Sequence, residues 1–283
     1  MWWRWYEKRR GGTRLDWIHT RNQSITPKWL KQLQRDLDQL LELRPLAYVL
    51  DEAWFLNRKY VLRGAVLIPR PETEELVQWV LERESHSVGL RVLDAGCGSG
   101  AIACSLGLER PRWKVSGMDI DPAALSVARQ NVRRLKAPVR IYRADLHGGR
   151  WPAWDVLVCN PPYIGQGMDH TLSPGVAQYE PLVALLAPQA DPLYYYLIIA
   201  NQLRRTLSDS GQPSGGTGSR HNLTVLGDAD RKSTNDSRIS KVLYLEMPEG
   251  CAHSIQSQFQ EWPTEVRADA QGIERMLRVE GVR

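Results

Sequence analysis

Arg91-Val92-Leu93-Asp94-Ala95-Gly96-Cys97-Gly98-Ser99-Gly100 decides how this chain folds. Its first three residues read as a strand, and residues 101–108 as a helix. Glycines at every second position between them let the chain turn sharply and let a ligand approach the backbone. The helix that follows offers unpaired N–H groups at its start. Downstream the same rhythm repeats. Residues 115–118, 139–142, 156–159 and 242–245 read as strands, and residues 265–267 and 276–279 as two last ones. Residues 122–135, 193–207 and about 252–260 read as helices. Strand and helix in alternation mean a mostly parallel sheet covered on both faces, so the expected class is α/β and Rossmann-like.

Such a sheet binds its ligand at the carboxyl ends of its strands, near the first crossover. Asp94, Asp119 and Asp145 fall at or just past three successive strand ends. A carboxylate at Asp119 can accept both hydroxyls of a ribose, and Asp145 can accept from an adenine amine. Asp94 can pair with a cationic ligand, such as the amino group or sulfonium of S-adenosylmethionine. Each acid alone also reads as a helix cap or a solvated turn; their repetition favours a cofactor carrying a nucleoside. Gly96, Gly98 and Ala101 also satisfy the looser dinucleotide form G-x-G-x-x-A, which keeps NAD-type binding in play.

Asn160-Pro161-Pro162-Tyr163 follows the fourth strand. Two prolines end a strand stiffly, because they remove backbone donors and fix φ. Asn160 brings a carbonyl acceptor and an amide donor pair, and Tyr163 a flat face. Together they can grip a small planar group carrying an NH2, either an amide or an exocyclic base amine. By itself the run also reads as a rigid turn and nothing more.

Outside these runs the chain excludes more than it asserts. Its 283 residues suffice for one large domain, alone or with a small appendage. Net charge is +5, with 37 basic against 32 acidic residues, a mild excess that does not demand nucleic acid. Cys97, Cys104, Cys159 and Cys251 show no zinc or redox spacing, and none of the six histidines forms a ligand pattern, so no metal is expected. No apolar stretch is long enough for a membrane span. Residues 1–25 are rich in Trp and Arg and read as a basic aromatic tail or a mitochondrial presequence, with a cytoplasmic setting as the other choice. Thr26-Pro27 starts a helix, with a hydroxyl cap and proline at its first position, and residues 26–44 form a reduced helical region. Residues 45–74 follow as a hairpin, turning at Asn57-Arg58-Lys59, and a proline-rich linker. Residues 75–283 form the main domain, interrupted at 208–240 by a polar, glycine-rich insertion expected to be disordered.

Asp94-x-Gly96-x-Gly98-x-Gly100, with Asp119 and Asp145, resembles the class I S-adenosylmethionine-dependent methyltransferases. Asn160-Pro161-Pro162-Tyr163 resembles the subset that methylates planar nitrogens. Ile68-Pro69-Arg70-Pro71-Glu72-Thr73-Glu74 and Pro45-Leu46-Ala47-Tyr48-Val49-Leu50, with Tyr179-Glu180-Pro181, are similar to the HemK-type peptide chain release factor glutamine methyltransferases. The resemblance covers residues 27–207 well and 241–283 loosely. It implies a seven-stranded sheet with an antiparallel last strand, and a small N-terminal helical domain that helps dock a release factor. It implies methyl transfer from S-adenosyl-L-methionine to the side-chain nitrogen of the glutamine in a Gly-Gly-Gln motif.

On that reading Asp94, Gly96, Gly98, Gly100, Asp119, Asp145 and Asn160 hold the cofactor. Asn160, Pro161, Pro162 and Tyr163 hold the substrate, with Asn160, Pro161 and Tyr163 doing the chemistry. The partner is a release factor; no membrane and no direct nucleic acid contact is expected, and the chain is expected to be a monomer. Three features depart from the family pattern: the short region before Pro45, the run Leu186-Ala187-Pro188-Gln189-Ala190-Asp191, and the insertion. Two alternatives stand beside this reading. One is an adenine-N6 methyltransferase, since the same loop suits a flipped adenine; the other is a non-catalytic release-factor-binding protein of the same fold. A hydride-transferring oxidoreductase leaves Asn160-Pro161-Pro162-Tyr163 without a purpose.

Overall fold

In the computed structural model, residues 2–63, 66–148, 151–165, 172–209 and 241–281 are described. The glycine run sits where the sequence places it, between strand β3 (Arg91–Ala95) and helix α6 (Ala101–Glu109). Around this unit stand β4 (Lys114–Asp119), α7 (Pro122–Leu135), β5 (Val139–Arg143), β6 (Val156–Cys159), α8 (Pro174–Tyr179), α9 (Tyr194–Asp209), β7 (Lys241–Glu246), α10 (Ala252–Gln256), β8 (Thr264–Ala268) and β9 (Glu274–Gly281). The strands form one seven-stranded sheet in the order β5-β4-β3-β6-β7-β9-β8. Neighbours from β5 to β7 pair in parallel, and β9 runs antiparallel to both β7 and β8. This is the expected mostly parallel, Rossmann-like sheet with an antiparallel last strand. Strand order reverses between β3 and β6, which opens a crevice at their carboxyl ends.

Alternation along the strands builds the two faces. Val92, Val156, Val158, Val242 and Tyr244 point into one core with Leu76, Trp79 and Val80 of helix α5 (Pro71–Arg83). Leu93, Leu157, Cys159, Leu243 and Leu245 point into the other, against Tyr196, Ile199 and Leu203 of α9. Side chains of a strand leave on opposite sides at each step, so the continuous apolar runs feed both layers. At the opposite ends of the strands a polar staple fixes the register. Asp155 accepts from the Arg91 backbone and guanidinium at 3.0 and 2.9 Å, and Lys241 approaches it at 3.3 Å. The close of α9 and the start of β7 meet at this same edge, where Gly281 lies against Leu203, Leu207 and the Lys241 carbonyl. The insertion expected at 208–240 falls, from residue 210 on, outside the described residues.

Residues 2–20 differ from the expected tail. They form α1 (Trp2–Arg10) and α2 (Arg14–Thr20), and α1 packs on α3 (Pro27–Leu41). Asp36 of α3, 1% exposed, gathers the Trp5 indole N–H at 2.6 Å and the Arg9 guanidinium at 2.9 and 3.0 Å. A buried carboxylate needs donors, and the basic and aromatic residues of α1 supply them, so this stretch folds back instead of trailing. Pro27 opens α3 as expected, but the Thr26 hydroxyl makes no capping hydrogen bond.

After the short helix α4 (Leu46–Val49) comes the hairpin of β1 (Glu52–Phe55) and β2 (Arg58–Val61). It turns at Leu56 and Asn57, with φ of 44° and 60°, rather than at Asn57-Arg58-Lys59. Two consecutive left-handed residues make the tight turn whose twist matches paired strands. Lys59 is thereby drawn into the ladder opposite Trp54, over whose ring its ammonium lies at 5.1 Å. Among the described residues no helix is long and apolar enough to cross a membrane, and no cluster of His, Cys, Asp and Glu is suited to a metal ion.

Candidate active site

The crevice at the strand ends holds a cavity of about 220 Å³. Gly96, Gly98, Asp119, Asp145, Asn160 and Pro162 all line it, together with Ile120, Leu146, His147 and Tyr195. Asp94, Gly100, Pro161 and Tyr163 are not among its lining residues.

The glycine loop is clamped to the end of β4. Gly96 and Cys97 both donate to the Met118 carbonyl, at 2.9 and 2.8 Å, and Gly98 donates to Asp119 Oδ2 at 2.9 Å. Gly96 and Gly98 hold φ of 76° and 50°, and a Cβ at either would meet nothing within 4 Å. That open space faces the cavity, and it is the room a cofactor's backbone-hugging portion requires. Gly100 serves a different end. At φ 76° it precedes α6, and a Cβ there would stand 3.3 Å from the Ala128 Cβ of α7, so it brings the two helices together.

The three acids sit at three depths. Asp94 is wholly buried; its Oδ2 accepts the Ala103 N–H at 2.9 Å while its Oδ1 has no partner. Burial lifts its carboxyl to about 7. It therefore underpins the loop rather than facing the cavity, with one acceptor in reserve. Asp119 accepts from Gly98 and, through Oδ1, from the Asp121 N–H at 3.0 Å, and burial raises its pKa. Asp145 lies at the rim. The backbone N–H of His147 at 2.9 Å, and its Nδ1 at 2.8 Å, hold the Asp145 carboxyl below its ordinary range. The His147 ring stands 5.4 Å from those of both Tyr194 and Tyr195. Open glycines, a reserve acceptor beneath them, a carboxylate on the cavity wall and an acid beside an aromatic rim together suit a cationic nucleoside cofactor.

Asn160 stands on the other side of the cavity. Its Nδ2 donates to the Thr73 hydroxyl at 3.2 Å, and that hydroxyl donates to Glu246 Oε2 at 2.6 Å. Thr73 belongs to the first turn of α5, behind Arg70 and Pro71, so the proline-rich run reaches the site through this threonine. Beyond Tyr163 the chain is pinned by Ile164, which bonds Leu185 at 2.9 Å and Ala187 at 3.0 Å and so sets Val183 and Ala184 over the cavity. Tyr163 itself is half-buried against the core that holds Tyr196, and burial keeps its hydroxyl protonated. A second groove of about 350 Å³ opens beside the site, between Leu43, Ile68, Arg70, Pro174 and Glu180.

Four of these residues, Glu246, Thr73, His147 and Tyr195, escape the sequence reading. Glu246 ends an apolar strand, the same signal that picks out Asp94, Asp119 and Asp145. Thr73 lies inside a run noticed for its prolines. Nothing in the sequence marks His147 or Tyr195, whose meeting depends on how α9 packs.

A family model described as the methyltransferase small domain matches residues 73–174. A protein of Enterococcus faecalis named release factor glutamine methyltransferase is 37% identical over 197 residues, covering 69% of this chain and 71% of its own. Proteins of the same name are similar in Lactococcus lactis, at 36% over 199 residues and 70% and 73% of the two chains, and in Streptococcus pneumoniae, at 37% over 198 residues and 70% of each. With at least 36% identity sustained across 70% or more of each relative's length, the chain belongs to the release factor glutamine methyltransferase family.

Proposed function

We propose that the protein transfers a methyl group from S-adenosyl-L-methionine to the side-chain amide nitrogen of the glutamine in the Gly-Gly-Gln motif of a peptide chain release factor. The observation that carries this reading is the orientation of Asn160. One of its two amide N–H groups is engaged by Thr73, which turns the carbonyl oxygen away from Thr73 as an acceptor for a ligand in the cavity.

When bound, S-adenosyl-L-methionine supplies a methyl group made electrophilic by its sulfonium. On this chain Gly96 and Gly98 give it room, Asp119 is placed for the ribose hydroxyls and Asp145 for the adenine amine. Asn160 Oδ1 accepts one N–H of the substrate carboxamide, and the carbonyl of Pro161, buried and outside the cavity lining, is proposed to accept the other once the loop engages substrate. An amide nitrogen is a weak nucleophile, because its lone pair is delocalised. Two fixed acceptors hold that nitrogen at the cavity and favour the positive charge that grows on it. No strong base is required, since the alkylated amide is acidic enough to release its proton late. Tyr163 enters as a buttress for the loop, given its packing against the core.

The test uses labelled S-adenosylmethionine with a release factor and with the variant lacking the Gly-Gly-Gln glutamine. Label on the intact factor alone supports the reading; label on nucleic acid transfers it to adenine methylation. Asn160→Ala is expected to lower the transfer rate by about 100-fold while cofactor affinity changes little. Equal loss of both, or of neither, removes Asn160 from this role.

A further inference from the structure

We infer that Thr73 and Glu246 are positioning residues that fix which end of the Asn160 carboxamide the substrate meets, an inference that rests on the methyl-transfer reading above. The three residues come from distant parts of the chain, the first turn of α5, the residue after β6 and the last residue of β7. They form one line, Asn160 Nδ2 to Thr73 Oγ1 at 3.2 Å and Thr73 Oγ1 to Glu246 Oε2 at 2.6 Å. Thr73 is 5% exposed and Glu246 2%, which leaves water little room to replace either partner.

The direction of this line follows from counting protons. A carboxylate accepts and cannot donate, and a hydroxyl has one proton. While Glu246 is ionised, Thr73 gives that proton to it, so toward Asn160 the hydroxyl oxygen can only accept. The carboxamide must then turn its NH2 to Thr73 and its oxygen away, which is the orientation that can receive an N–H. Without the Thr73 hydroxyl, no other hydrogen bond of the Asn160 side chain among the described residues selects one carboxamide orientation over its flip. In that flip the side chain would set its own NH2 against the substrate's, two donors facing each other.

Glu246 is held in a mixed field. Glu72 faces it from α5 and opposes its charge, while Arg70 and Arg275 favour it; Tyr163, Tyr196 and Cys159 pack nearby. The Tyr196 hydroxyl donates to the Glu246 backbone carbonyl at 2.7 Å and fixes the end of β7. Burial dominates and lifts the carboxyl to about 7. Once protonated, Glu246 can donate to Thr73, the Thr73 proton is free to turn toward Asn160, and the amide loses its imposed direction. Transfer should therefore fade on the acid side of neutrality for a reason that lies outside the cavity.

The experiment compares wild type, Thr73→Val, Thr73→Ser and Glu246→Gln for methyl transfer to the release factor across pH, with cofactor Kd as a check that each variant is folded. Thr73→Val is expected to lower kcat about tenfold or more with cofactor Kd within about twofold of wild type, a loss of orientation comparable to losing one fixed acceptor. Thr73→Ser should restore the rate, and Glu246→Gln should flatten the acid limb of the profile. Wild-type turnover and an unaltered pH profile in Thr73→Val overturn the inference. Failure of wild type to label any release factor would instead overturn the functional reading. The line is then read from the side-chain ¹⁵N amide resonances of Asn160, expected to titrate in wild type and not in Glu246→Gln. Resonances that ignore pH in both proteins overturn the inference.

Discussion

Arg70 Nη2 lies 2.6 Å from Glu180 Oε1, while Glu180 Oε2 accepts the Ile68 N–H at 3.1 Å. The Glu180 side chain is wholly buried and that of Arg70 is 32% exposed. Through this pair the proline-rich run before α5 is tied to the segment beyond the Asn160-Pro161-Pro162-Tyr163 turn. Arg70→Ala leaves a buried carboxylate with a single backbone donor, and is expected to cost about 2–3 kcal/mol. Replacing both residues by alanine should cost less than the sum of the two single changes, because the second removes the stranded charge. Urea midpoints of the four proteins check this; additive losses would mean the contact carries no coupling.

The glycines of the loop divide by task, and alanine separates them. At Gly98 the added Cβ meets nothing, so Gly98→Ala is expected to cost only the left-handed backbone penalty, about 1–2 kcal/mol. The new methyl does enter the cavity, so cofactor affinity should fall about tenfold or more, as for any fixed steric intrusion of 1–2 kcal/mol on binding. Gly100→Ala meets Ala128 as well and should lose more stability than Gly98→Ala. Thermal melts and isothermal titration with S-adenosylmethionine on both variants decide it.

Asp94 makes stability depend on pH. Its carboxyl is raised from 3.8 to about 7 in the folded chain. Below pH 4 the group is neutral folded or unfolded and costs nothing. As pH climbs from 4 through 7 the unfolded chain ionises it freely and the fold does not, so stability drains away over that window. By linkage the loss is on the order of 3–4 kcal/mol at pH 8. Asp94→Asn cannot ionise, so its melting temperature relative to wild type should rise between pH 5 and pH 7 and level off above that. A difference that stays flat across that range would place the ionisation elsewhere.

Asp36 is the most buried of the acids that hold α1, with Glu52 bonding Lys8 beside it. Asp36→Ala strands the Trp5 indole and leaves the Arg9 guanidinium only its bond to the Val49 carbonyl, a loss of about 3 kcal/mol concentrated at the N-terminal contact. Cleavage between residues 11 and 26 in limited proteolysis should accelerate by about tenfold or more, as local opening becomes easier. Cofactor affinity is expected to stay at the wild-type value, since the cavity draws no lining residue from this region. Identical cleavage in the two proteins would show that other contacts hold the helix.

The sheet was readable because each of its parts has a local cause. Apolar runs, proline-started helices and strand-ending acids all act within a few residues, and they carry the order of elements without help from the rest of the chain. What stayed hidden depends on meetings at long range. Asn160, Thr73 and Glu246 converge only when β6, α5 and β7 have packed, so no spacing reveals them. Asp94 shows the converse. Its place before the first glycine suggested a group facing the ligand, whereas the fold uses one of its oxygens on the Ala103 N–H, beneath the loop. The fold of the chain's start is hidden for a related reason. Basic and aromatic residues look alike in a free tail and in a helix whose donors meet buried acceptors, and Asp36 and Glu52 lie 31 and 44 residues from Trp5 and Lys8.

The polar staple of Arg91, Asp155 and Lys241 has a consequence for how such a chain can grow. It closes the sheet at the pole opposite the cavity, and α9 and β7 leave and re-enter the fold beside it. The last turn of α9 and the first residue of β7 are therefore anchored at the strand ends away from the reacting groups. Loop length adds to the entropy of closure only logarithmically. The far pole is thus a tolerant seam, where sequence can be gained, lost or tagged while the catalytic pole keeps its geometry.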